Sequence, residues 1–130
     1  MKITGTFEVN LQPLENYAAG KEGINLGRMS IDKTFSGPLN ATSQGEMLSA
    51  MATEQGSGGY VAIEQVVGEL DGKKGSFVLQ HYGLMTPTSN SLLLEVVPNS
   101  GSDQLSGLSG KMAIRIEDGQ HFYDFEYELS

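Results

Sequence analysis

At 130 residues without a cysteine, the chain is a single domain that makes no disulfide, thiolate nucleophile or zinc-thiolate site, and it suits a reducing compartment. Sixteen acidic residues against eight basic ones give a formal net charge of −8, a field that repels phosphate backbones, so nucleic acid is not an expected partner. No apolar run approaches the ~18 residues of a membrane span, and Met1-Lys2-Ile3 leads directly into an alternating strand, so a cytoplasmic protein with no membrane partner is expected.

Seventeen glycines, scattered without a period, punctuate the alternating segments, which is the pattern of strands and turns. The first strand, Lys2 to Leu11, sends Ile3, Gly5, Phe7, Val9 and Leu11 to one side. Gln12 to Gly23 loses the alternation and reads as a loop with one helical turn at Glu15 to Ala19. The second strand, Leu26 to Ser36, groups Met29, Ile31, Lys33 and Phe35. Gly37-Pro38 turns the chain into the third, Leu39 to Met51, where Ala41, Ser43, Gly45 and Met47 share a side.

After the break at Gln55 to Gly59, the fourth and fifth strands, Tyr60 to Leu70 and Lys73 to Met85, flank Asp71-Gly72. A two-residue turn there sets Ala62 opposite His81, Glu64 opposite Leu79 and Val66 opposite Phe77. A three-residue turn would instead set Glu64 opposite Gln80 and turn His81 to the other face, because side-chain direction has a period of two. Strand six, Ser91 to Val97, is apolar on both faces. Pro98 to Asp103 is a turn-rich loop. Strand seven, Leu108 to Glu117, meets the last strand at Asp118-Gly119, which sets Ile116 opposite His121, Ile114 opposite Tyr123 and Met112 opposite Phe125.

Eight long antiparallel strands leave edges that closure removes. The expected fold is therefore all-β, one closed eight-stranded antiparallel barrel over residues 1–130, with room for packed side chains or one small ligand. Asp32 to Gly37, Gly58 to Glu64, Gly75 to His81 and Pro98 to Gly101 resemble a bacterial family of uncharacterised domains with the allene oxide cyclase-like barrel. The resemblance implies that barrel and, for many relatives, oligomerisation. It implies no reaction, and no cyclase residue carries over to a position here.

The candidate site residues stand on the inferred inner faces. Lys33 lies on an apolar stripe, where a lysine either snorkels to a barrel mouth, meets a carboxylate, or serves as an anion anchor. Glu64, between Ala62 and Val66, would have its pKa raised by desolvation and act as a base, whereas a salt bridge to Lys33 would do the opposite. His81 and His121 read as hydrogen-bonded core histidines or as bases. With Glu64 they contain the residue types of a two-histidine, one-carboxylate metal face, but they sit on three strands without diagnostic spacing, so no metal and no cofactor is expected. Tyr60 and Tyr123, with phenylalanines and methionines, make a lining suited equally to a small apolar ligand and to a filled core.

Gly56 to Gly59 lacks the lysine and the helix start of a phosphate loop, and no serine is spaced for a nucleophile elbow. Three functions follow from these residues. The first is binding of a small, mostly apolar molecule in the lumen through Lys33, Tyr60, Glu64, His81, His121 and Tyr123. The second is an isomerase or cyclase with Glu64 or a histidine as base and Lys33 steadying an anion. The third is an interaction scaffold. A homo-oligomer is expected because strand six must cover leucines on its outer face.

Overall fold

The computed structural model describes residues 1–130 as eight strands: β1 (Lys2–Pro13), β2 (Asn25–Ser36), β3 (Leu39–Met51), β4 (Gly58–Leu70), β5 (Lys73–Met85), β6 (Asn90–Val96), β7 (Leu108–Glu117) and β8 (Gln120–Leu129). Every strand pairs with its sequence neighbour, and β8 returns to β1 with Phe125 opposite Ile3 and His121 opposite Phe7, which closes the barrel. No edge remains except where β6 and β7 meet through two residue pairs only, Leu94 with Met112 and Glu95 with Lys111. No helix is long and apolar enough to cross a membrane, which says nothing about crossing by strands.

The two Asp-Gly turns settle the register. Asp71 and Gly72 have φ of 50° and 82°, and Asp118 and Gly119 have 51° and 78°. Positive φ at both central residues is the mirror-image turn whose twist matches that of the flanking strands. Leu70 is therefore opposite Lys73 and Glu117 opposite Gln120, and Glu64 falls opposite Leu79, not Gln80. His81 faces inward.

The loop after β1 contains no helical turn, contrary to expectation. Asn16 explains the difference: its amide donates to the Leu26 carbonyl at 2.6 Å and the Ala18 carbonyl at 3.2 Å, anchoring an irregular path that competes with helical bonding. The short helical piece lies instead at Asp103–Leu105, a 3-10 turn that drives Leu105 into the barrel end.

The two ends of the barrel differ. At the end where β1 starts and β8 finishes, Leu39, Leu70, Leu105, Leu108 and Phe125 fill the interior. At the opposite end the alternation still points side chains inward, yet Leu11, Leu92 and Ile116 are 39%, 43% and 64% exposed. Met29, Met47, Tyr60, Met85, Ile114 and His121 are only half-buried there. One half of the lumen is thus a packed core and the other an open, mostly apolar cup.

Candidate functional site

The floor of the cup is a buried polar cluster built by four successive strands. Lys33 on β2, Ser43 on β3, Glu64 on β4 and His81 on β5 are all inward positions of the alternation, each less than a tenth exposed. Glu64 is the hub. Its Oε2 accepts a hydrogen bond from Lys33 Nζ at 2.8 Å and another from His81 Nε2, while its Oε1 accepts from Ser43 Oγ at 2.6 Å. The Lys33 ammonium also lies 5.0 Å from the Phe7 ring centre and 5.7 Å from that of Phe35. The aromatic faces supply some of the electrostatic stabilisation that burial takes from the cation.

Glycine makes the room. Gly45 is the direct cross-strand partner of Glu64, and a Cβ there would collide with the Ile63 carbonyl oxygen and the Glu64 backbone. Gly83 is the partner of Tyr60, and a Cβ there would sit 2.6 Å from the tyrosine ring. Tyr60 can therefore lean across β5 and place its hydroxyl 3.2 Å from His81 Nδ1, with the two rings edge-on at 5.9 Å.

The electrostatics decide between the two expectations for Glu64 in favour of the ion pair. Burial alone would raise its pKa, but the His81 hydrogen bond and the Lys33 charge outweigh it and hold the carboxyl at about 2. Glu64 is therefore an ionised anchor whose two oxygens are engaged, not a base waiting for a proton. Desolvation, with the Glu64 charge behind it, raises the pKa of Tyr60, so the phenol stays protonated at neutral pH.

A carboxylate only accepts, so His81 Nε2 carries a hydrogen and Nδ1 is the nitrogen left to exchange a proton with Tyr60. Glu64, His81 and Tyr60 form a chain from carboxylate to imidazole to phenol, and its phenol end is the half-buried one that meets the cup.

The structure brings together Lys33, Tyr60, Glu64 and His81. The other two residues expected of the site do not join this floor cluster. His121 lies at the rim on β8, its ring packed 5.1 Å from that of Phe7, away from Glu64 and His81, so the three groups of the imagined metal face do not converge. Tyr123 is fully buried in the packed half, beside Gly5. Its hydroxyl accepts from the Leu39 backbone N–H at 3.0 Å and lies 3.1 Å from the Ser36 carbonyl that can take its proton. It fastens the β2–β3 turn and is sealed from any lumen ligand.

Sequence reasoning missed the roles of Ser43, Gly45 and Gly83. A serine or glycine on an inward stripe is a weak signal, and only the cross-strand register shows what it faces.

A groove of about 740 Å³ runs along the β6–β7 seam beside Leu92, Lys111, Met112 and Glu126 and is not the floor cluster.

The family described as "Protein of unknown function (DUF3224)" matches residues 3–127. Among solved structures the chain is similar to that of a protein with unknown function from the DUF3224 family of Shewanella oneidensis MR-1, determined at 1.84 Å. The two share 62% sequence identity over 100% of this chain and 97% of that chain, with a TM-score of 0.98. No curated protein matches the chain.

Proposed function

The chain belongs to the DUF3224 family, a family of proteins of unknown function, so its own side chains must supply the functional reading, and we propose that it binds a small, mostly apolar molecule in the open half of its barrel. The observation that carries this reading is the set of inward-facing apolar side chains left in contact with solvent, Leu11, Leu92 and Ile116 with the half-buried methionines, directly above a floor that offers one phenol. An apolar wall with a few convergent polar groups is the ordinary make-up of a small-molecule site. Methionines suit it because a flexible, polarisable side chain adapts to an irregular guest. A cytoplasmic location belongs to the same reading, since a chain without cysteine makes no use of an oxidising compartment.

Methyl-labelled methionine NMR with octanol as probe tests the site. The Met29, Met47 and Met85 signals are expected to move in a saturable way, with Met1 unmoved. Shifts at Met1 with none at the three lumen methionines would place the apolar contact elsewhere.

The chain from Glu64 through His81 to Tyr60 favours a second reading, proton transfer on a bound molecule as in an isomerase or cyclase. In it Tyr60 is the group that reaches the substrate, His81 holds or supplies its proton, and Glu64 positions the imidazole. Lys33, paired with Glu64, steadies the carboxylate and does not meet the substrate directly.

We also propose that the protein assembles with a second copy of itself through its outer wall. Leu48, Val61, Tyr82 and Leu93 are direct cross-strand neighbours on β3 to β6, all outward, and are 55%, 48%, 53% and 42% exposed. Such an unbroken apolar row is unusual on a monomer surface. A two-fold axis across it would set like residues against like, and the acidic remainder of the surface disfavours other faces for association of equal charges. Leu93→Asp is expected to convert the assembly to monomer in light scattering at micromolar concentration. A native protein already monomeric there contradicts the proposal.

A further inference from the structure

We propose that the guest of the cup is an apolar acid, a hydrocarbon body with a carboxylate or similar anionic head seated on Tyr60 above His81 and Lys33. This inference rests on the binding reading above.

Its first support is the division of charge between the inside and the outside of the barrel. Although the chain carries sixteen acidic residues, Glu64 alone occupies an inward strand position. Asp32, Glu46, Glu95, Asp124 and Glu126 point outward by the same alternation, and Asp71 and Asp118 lie in turns. Besides the tyrosines and Lys73, which is exposed where β5 begins at the packed end, the ionisable side chains at inward positions are Lys33 and the imidazoles of His81 and His121. An acidic protein thus keeps its carboxylates outside the lumen except for one, which Lys33 already neutralises.

The second support is the balance of donors and acceptors at the floor. Both oxygens of Glu64 are taken, by Lys33 and His81 on one and by Ser43 on the other. Lys33 has three hydrogens and gives one to Glu64. His81 keeps a hydrogen on Nε2 for Glu64. When Nδ1 also gains a proton it donates to the Tyr60 oxygen, and the phenol hydrogen is freed to point into the cup. In that state Lys33, His81 and Glu64 together carry one net positive charge. The ionisable groups around His81 are then Glu64 and Tyr60 from β4 and Lys33 from β2, while its cross-strand partners Ala62 and Leu94 are apolar. An anionic head receives the Tyr60 hydrogen bond with the imidazolium behind it. An alcohol gains the hydrogen bond without the charge, and an ammonium meets two cations.

Calorimetric titration of the full chain at neutral pH with octanoate, octanol and octylammonium separates these cases, since the three probes share a tail and differ in the head. Octanoate is expected to bind about tenfold or more tighter than octanol, and octylammonium weakest, because a hydrogen bond to a charged group outweighs a neutral one. Tyr60→Phe, which keeps the ring against Gly83, is expected to weaken octanoate more than octanol, because the bond lost is charge-assisted for the carboxylate and neutral for the alcohol.

Octanol binding as tightly as octanoate, or a Tyr60→Phe variant with the octanoate preference intact, overturns the head-group assignment while leaving the cup as a binding site. Binding of none of the three probes overturns the cup reading itself.

Discussion

Replacing Glu64 with leucine is expected to lower the stability of the barrel by about 3–5 kcal/mol, the cost of removing one partner from a buried ion pair. The change strands the Lys33 ammonium, which is 6% exposed, and leaves Ser43 Oγ and His81 Nε2 without their acceptor. The effect belongs to the stranded charge and not to a large net benefit of the pair. Replacing Lys33 by methionine in the same chain is therefore expected to recover most of the loss, because two apolar side chains of similar volume satisfy the interior without paired charges. Urea unfolding of the two single variants and the double variant measures this. A Glu64→Leu protein as stable as the native one would mean that water reaches the cluster and that its burial is not what the structure shows.

Acid is expected to act on the same carboxyl. Its pKa is lowered from an ordinary 4.5 to about 2 by the His81 hydrogen bond and the Lys33 charge acting against desolvation. A group whose folded pKa is lowered contributes stability that is complete above its unfolded pKa and is lost as the pH falls through the folded value. The contribution is on the order of 3 kcal/mol above about pH 5, and it declines between there and about pH 2. Urea midpoints for the native chain are expected to fall across that window, whereas the Lys33→Met and Glu64→Leu double variant is expected to follow a flatter curve. Identical acid profiles for the two proteins would assign the acid sensitivity to exposed carboxylates instead.

Much of the fold is written locally in the chain. The alternation fixes which residues of each strand can share a face, and the two Asp-Gly pairs fix how neighbouring strands align, since their twist suits only one kind of hairpin. Those two facts suffice to put Lys33, Glu64 and His81 inside. What they do not give is height along the barrel axis. Tyr123 and Tyr60 both alternate inward, yet one lies in the packed half fastened to Leu39 and the other at the edge of the open cup. Strand tilt and stagger decide that difference, and they are properties of the closed sheet and not of any one hairpin.

The charge state of Glu64 was similarly open from the residues alone. Desolvation and pairing shift it in opposite directions, and only the 2.8 Å approach of Lys33 together with the His81 contact shows which prevails. The loop after β1 went unread for a different reason: an asparagine bonding to backbone ten residues away replaces a helical turn, and nothing nearby in sequence announces it.

We propose the half-open lumen above Tyr60 as a site for a small, mostly apolar molecule. A high-resolution crystal structure of the protein purified from its own host tests it most directly. Continuous density is expected for a copurified molecule lying against Met29, Met47 and Met85, with a polar end within hydrogen-bond reach of the Tyr60 hydroxyl. Rim side chains folded inward to fill that half of the barrel, or a lumen occupied by ordered water alone, would contradict it.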